Sequence, residues 1–257
     1  MFRKYFNHIT RFSCKKVVSI IFISVFGFAT QCLSYEPVEI TLVEEVSILA
    51  DDSYPPYSFT EQGVIKGLYV ELINAAARRL KPYYQVKIQA VPWKRGLQEL
   101  SQGTELALIP PYKHIEKRPY IWPYSIALLS ETVIAFCQKD LDISPYIAKE
   151  TTEPLPPLNI GVNAGYYILN DDLRLAQSRG DLKLRENKDT RSNILKLLHR
   201  RVDCYVNDRL STMWELKRLR HEFPQENYNF TGMVQFSFLP FKGAIVEMLF
   251  SIEIHTL

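Results

Sequence analysis

Residues 49–67, LADDSYPPYSFTEQGVIKG, set three aromatic rings (Tyr54, Tyr57, Phe59) and two prolines directly behind the aspartates Asp51 and Asp52. Prolines at this density remove backbone donors that a core strand needs. A solvent loop, in turn, has little reason to hold so many rings. Rings in such a stretch can sandwich a planar or apolar group. Residues further along could complete a site for a small charged molecule. Arg118 carries a planar fork that grips a carboxylate with two hydrogen bonds. A helix starting after Gly165 would turn free backbone N–H groups toward the same anion. Asp51 or Asp208 could pair with an ammonium. Asp51, Glu131 and Asp208 could equally supply the acid/base pair an enzyme needs.

Each of these residues also has a plainer use. Aromatics beside prolines commonly pack a loop, Arg118 in HIEKRPY could pair with Glu116, and Asp208 could cap the helix that follows it. Shared location is what lifts the combination above its parts. In open α/β sheets, ligands bind beyond the carboxyl ends of strands. Those ends are followed here by Asp51, Tyr54 and Tyr57, by Trp93, by Pro110, Pro111 and Tyr112 with Arg118 beyond, by Asn163 and Gly165–Tyr166–Tyr167, and by Asn207–Asp208–Arg209.

The elements that must position these residues are legible as periodicities. VSILAD (46–51) and YQVKIQAV read as strands, the second alternating Val86, Ile88 and Ala90 with polar residues, and ELALIP reads as a third. GLYVELINAAARRL reads as an amphipathic helix with Leu68, Leu72, Ala76 and Leu80 on one face. WKRGLQELSQG places Trp93, Leu97 and Leu100 together and stops at Gly103. A second unit repeats the alternation: TVIAFCQ, NIGVNAG, LKLRE and VDCYVN as strands, with RSNILKLLHRR capped by Asp189 or Thr190 and striped by Ile194, Leu197 and Leu198. DRLSTMWELKRLRHEF is a helix with Leu210, Met213 and Trp214 grouped. DISPYIAKETTEPLPPL is a polar, proline-rich surface connection. Strand–helix alternation of this kind predicts two α/β lobes with largely parallel sheets, crossed near IWPYSIALLSE.

The chain has 257 residues, 47% hydrophobic and 23% charged, with a formal net charge of +3. That balance fits an ordinary globular protein, and it offers no basic surface for nucleic acid. The N-terminus reads as an export signal over residues 1–34: Arg3, Lys4, Arg11, Lys15 and Lys16 precede the apolar run 17–29, which is shorter than a membrane span. Cys14 and Cys32 fall within it, leaving Cys137 and Cys204. An oxidising compartment would permit a bridge, yet both lie in apolar strand-like runs, and two buried free thiols are the expectation. With no CxxC and no Cys/His cluster, neither a metal nor another cofactor is expected.

ILADDSYPPYSF, GLYVELINAAARRL, VPWKRGLQELSQG, YKHIEKRPYIWPYSI, NIGVNAGYY and RRVDCYVNDR follow one another in an order that resembles the bacterial extracellular solute-binding proteins of family 3, the polar-amino-acid-binding type. The resemblance covers roughly residues 46–238. It implies a two-lobed periplasmic binding protein fold of type II, each lobe a mixed sheet flanked by helices: lobe 1 over 35–126, lobe 2 over 127–230, and a return to lobe 1 over 231–257 that is shorter than family members have. It implies a monomer in the periplasm that closes on a small amino-acid-like ligand and docks on an ABC transporter permease. Carried across, Tyr54 and Trp93 flank the ligand and Arg118 takes its α-carboxylate, shared with backbone N–H groups of Gly165 and Tyr166. Asp208 takes the α-amino group and Asp51 adds a polar contact. The departure is IPPYKHI, where the family has Gly with Ser or Thr. It removes N–H donors, adds the Tyr112 ring and is one residue longer. Two other functions stay open on the same scaffold: a dehydratase-like periplasmic enzyme and an orphan sensory module.

Overall fold

The computed structural model describes residues 43–148 and 155–224, together with the backbone of two later strands. In chain order the elements are β1 (Glu44–Asp51), β2 (Ser53–Tyr54), β3 (Ser58–Glu61), β4 (Val64–Lys66), α1 (Leu68–Leu80), β5 (Tyr84–Val91), α2 (Trp93–Ser101), β6 (Ala107–Ile109), β7 (Tyr124–Glu131) and β8 (Val133–Gln138). They continue with α3 (Ser144–Ala148), β9 (Leu158–Asn163), α4 (Asp171–Arg179), β10 (Leu182–Asn187), α5 (Thr190–Leu198), β11 (Cys204–Asp208), α6 (Arg209–Glu222), β12 (Val234–Ser237) and β13 (Ala244–Phe250). The expected export signal lies outside the described residues.

Two five-stranded sheets result, ordered β5-β1-β6-β13-β7 and β10-β9-β11-β8-β12. In the first, β1 runs parallel to β5 and β6, while β13 enters antiparallel to β6 and β7. In the second, β9 is parallel to β10 and β11, while β8 is antiparallel to β11 and β12. Both sheets are therefore mixed, and the chain passes from one to the other at Thr132. The interior strand β8, VIAFCQ, lies between β11 and β12 and is buried at every position. Such a continuous apolar run is what a strand covered on both faces requires.

Residues 49–67 are more ordered than a loop. β2, β3 and β4 form a small antiparallel meander beside β1. Its hairpin turns through Gln62 and Gly63, both at positive φ (52° and 78°), which matches the right-handed twist of the strands it joins. Gly67 then lets the chain pass Tyr57: a Cβ there would stand 2.2 Å from the Tyr57 carbonyl oxygen. The same closeness places the Tyr69 N–H on that carbonyl at 3.0 Å.

Helix faces depart from the sequence expectation at two places. On α1 the buried residues are Tyr69, Val70 and Ile73, whereas Leu68, Leu72 and Leu80 are exposed at 50%, 41% and 46%. The leucine ridge at four-residue spacing lost to the stripe carrying Tyr69, whose hydroxyl is anchored on the buried Glu131. On α6, Leu210, Met213 and Trp214 face outward while Ser211, Thr212, Glu215 and Leu219 are buried. Its first turn is oriented by the Asp208 cap and by Thr212 Oγ1 donating to the Asp208 carbonyl at 2.8 Å, not by apolar periodicity. The proline-rich connection also begins with a helical turn, α3, which buries Ile143 and Tyr146. Asp189 caps α5 as expected, accepting from Ser192 N at 2.7 Å.

The cysteines correct a further expectation. Cys137 and Cys204 form a disulfide across the antiparallel β8/β11 pair, where they are direct partners in register. Both are fully buried. The bridge closes a loop with a sequence separation of 67. Loops of this size are associated with about 2–5 kcal/mol of stabilisation. Protein refolded under reductant, with both thiols counted by mass, is expected to melt at a clearly lower temperature than oxidised protein. Superimposable melts would contradict a structural role for the bridge.

Candidate functional site

The carboxyl ends of β1, β5, β6, β7, β9 and β11 converge on one seam between the sheets, and three buried carboxylates lie along it. Glu131, at the end of β7, is 2% exposed. Its Oε2 accepts the hydroxyls of Tyr54 at 2.5 Å and Tyr112 at 2.8 Å, and its Oε1 accepts that of Tyr69 at 2.7 Å. Burial, and next the charge of Asp208, push its pKa up to about 7. Burial also drives the Tyr54 and Tyr112 hydroxyls well above their usual range, so both stay protonated as donors.

Asp51 is 3% exposed and ends β1. It accepts Ser53 N at 3.0 Å and, from the other sheet's side of the seam, the Tyr166 hydroxyl at 2.8 Å. Burial raises its pKa to about 7 as well. Asp208, at the end of β11, caps α6 by accepting Ser211 N at 2.8 Å. It also accepts Thr132 N at 3.1 Å and is hydrogen-bonded by Tyr57.

Behind the second-sheet end of the seam, side-chain amides fix the strand ends that carry these residues. Asn193 donates to Asn163 at 2.9 Å, Tyr205 donates to the same oxygen at 3.0 Å, and Asn187 donates to Asn193 at 2.6 Å. A buried network with its members paired holds a strand end in one arrangement.

Tyr54, Trp93, Tyr112, Arg118 and Tyr166 come together around one cavity, whose remaining lining is Pro110, Pro111, His114 and Tyr167. Trp93 and Tyr54 both meet the Tyr166 ring edge-on, at 5.9 and 5.6 Å between centroids. Arg118 is 7% exposed. One of its nitrogens donates to the Gly165 carbonyl at 3.1 Å, and its guanidinium lies 5.7 Å from the Trp93 ring centroid. Among the described residues, no carboxylate lies within ion-pair distance of it. Glu116 is therefore not its partner. His114 contributes a buried Nε2 with no hydrogen-bond partner, its other nitrogen being committed to the Tyr167 backbone. Burial, reinforced by Arg118, lowers the His114 pKa to about 4, so the ring is neutral near pH 7.

Several residues do not stand where the sequence put them. No helix starts at Gly165; α4 begins at Asp171, capped by Asn170. Gly165, at φ 78°, turns its carbonyl toward Arg118 and Trp93, while its N–H faces Glu186 at 3.5 Å. The Tyr166 N–H closes a turn on Asn163 at 3.0 Å. In this arrangement neither N–H is turned to an anion beside Arg118. Asp208 and Tyr57 bond one another and lie outside the cavity's lining. Asp51 opens instead onto an adjoining cavity, with Trp93 and Tyr166 shared between the two. Sequence reasoning missed His114, Tyr69 and the role of Glu131 as the acceptor that gathers three tyrosines. The only available signal was the count of tyrosines facing one acid.

Residues 46–162 match the family model described as bacterial extracellular solute-binding proteins, family 3. That match bears out the resemblance drawn from the sequence. A search of curated protein sequences gives no match. Among solved structures, similarity extends to an ancestral amino acid-binding protein described as a precursor of cyclohexadienyl dehydratase (14% identity, TM-score 0.59, covering 81% of this chain and 82% of that one). A histidine kinase sensor domain with similarity to periplasmic binding proteins is also alike (17%, 0.61, 80% and 82%). So is a structure reported for glutathione import via GshT and the cystine ABC importer TcyBC of Streptococcus mutans (16%, 0.62, 82% and 83%). At these identities the likeness is one of fold: two lobes, each a mixed sheet flanked by helices, as in type II periplasmic binding proteins.

Proposed function

We propose that the protein is a periplasmic solute-binding protein that captures a small carboxylate-bearing compound, an amino acid or a relative of one, between its lobes for delivery to an ABC-type importer. One observation carries this: a nearly buried arginine without an acidic partner among the described residues, set in an aromatic-walled cavity. A guanidinium out of water needs an anion or several acceptors to offset its lost hydration. A bound carboxylate would provide the missing charge with bidentate geometry. The family match and the two-lobed fold support the same reading, with the protein acting as a monomer without a cofactor; the passage between sheets falls at Thr132 rather than at the expected 126/127, and β12 stays with the second sheet before β13 returns to the first. Asp51 and Glu131 would also suit acid/base chemistry by their pKa values. Both, however, sit behind tyrosines and outside the cavity's lining, which favours binding over turnover.

A thermal-shift screen against amino acids, organic acids, polyamines and small peptides tests the proposal. A true ligand at a hundredfold its dissociation constant should add about 2.7 kcal/mol of stability and be recovered unchanged. A compound converted during incubation would make the protein an enzyme. Closure of the two lobes on that compound should lower the radius of gyration in solution scattering, and an unchanged radius would contradict a hinge-closing receptor.

A further inference from the structure

We infer that the solute held at Arg118 is an organic acid with an apolar body and no ammonium group. The inference rests on the binding-protein reading and narrows its ligand class. An α-amino acid needs two opposite poles in one cavity. Arg118 supplies the pole for a carboxylate, but among the described residues the three buried acids of the seam are all engaged elsewhere. Asp208 accepts two backbone N–H groups and is bonded by Tyr57. Glu131 accepts three tyrosine hydroxyls, two of them from Tyr54 and Tyr112, whose rings stand between it and the cavity. Asp51 is bonded by Tyr166 and opens onto the adjoining space. None of the three lines the cavity that Arg118 lines.

The cavity's remaining polar feature points the same way. His114 presents an unpartnered Nε2 beside a cation, with Nδ1 committed to the Tyr167 backbone. A neutral imidazole there can accept a hydroxyl of the ligand. It cannot neutralise an ammonium. Bringing a second positive charge beside the nearly buried Arg118 would add like-charge repulsion that no carboxylate lining the cavity among the described residues offsets. The rings of Tyr54, Trp93, Tyr112 and Tyr166 and the two prolines give an apolar body its contact surface.

Calorimetry on the full protein with matched pairs tests this: propionate against alanine, 4-methylpentanoate against leucine, and 3-phenylpropionate against phenylalanine, with 2-phenylethylamine as the amine alone. The expected result is that at least one acid binds, at least about tenfold tighter than its amino acid, with no binding of the amine. Binding of that acid should be lost in Arg118→Ala. An amino acid that binds as tightly as its deaminated partner, or tighter, would overturn the inference while leaving the receptor reading intact. Absence of binding by every acid and amino acid in the set would count against both.

Discussion

Replacing Glu131 by alanine is expected to destabilise the protein by about 3 kcal/mol or more at pH 5, because three buried tyrosine hydroxyls lose their acceptor at once. Each unsatisfied buried hydroxyl costs about 1–3 kcal/mol. Tyr54, Tyr69 and Tyr112 come from β2, α1 and the segment after β6, so the loss would loosen three elements around the seam. Glu131→Gln separates packing from charge. The amide keeps an acceptor for the hydroxyls and removes the titration. Glu131 rises from 4.5 to about 7 on folding and Asp51 from 3.8 to about 7, burial being the main cause of both. A carboxyl whose pKa is raised in the folded state holds its proton where the unfolded chain has already released it. Stability from this source is therefore full below about pH 4, falls as pH rises toward 7, and levels off above. For Glu131 the swing is on the order of 3 kcal/mol. Wild-type melting temperature should decline across that window, and Glu131→Gln should flatten the decline, with Asp51→Asn removing a further part. An unaltered slope in both variants would show that these carboxyls are not what titrates.

Strand positions and helix capping were legible because they rest on local patterns. The run VIAFCQ, the alternation of Val86 and Ile88, and the Asp189 cap all follow from residues within a few positions of one another. Features set by the meeting of distant segments were not legible. Cys137 and Cys204 bridge because β8 and β11 align them in antiparallel register, which no local window displays. Leu72 looked like core and is exposed, because the buried stripe of α1 is fixed by Tyr69 reaching Glu131, 62 residues away in the chain. The site divides in the same way. Tyr54, Trp93, Tyr112, Arg118 and Tyr166 share one cavity because strand ends converge by topology. The assignment of Asp208 to an ammonium did not agree with the structure, because a carboxylate after a strand and before a helix serves the backbone first.

That division of labour gives the last prediction its form: Arg118 should govern affinity and Asp208 should govern stability. Arg118→Ala removes the one cation that lines the cavity among the described residues, together with its bond to the Gly165 carbonyl and its approach to the Trp93 ring. Affinity for the tightest solute of the screen should fall at least about a hundredfold, equivalent to about 2.8 kcal/mol. Arg118→Lys should recover only part of this, since lysine keeps the charge and loses the planar fork that spans both carboxylate oxygens. Asp208→Asn, by contrast, keeps a capping oxygen for Ser211 N but replaces the other by an amide facing Thr132 N. It should lower the melting temperature through about 1 kcal/mol of lost capping and seam contact while leaving affinity within a fewfold. Calorimetry and melting on the three variants read the two effects separately. A hundredfold loss in Asp208→Asn without loss of stability would restore a two-pole amino-acid site. Wild-type affinity in Arg118→Ala would mean that the arginine serves only to clamp Gly165 against the first lobe, and the ligand would have to be sought in the adjoining cavity beside Asp51.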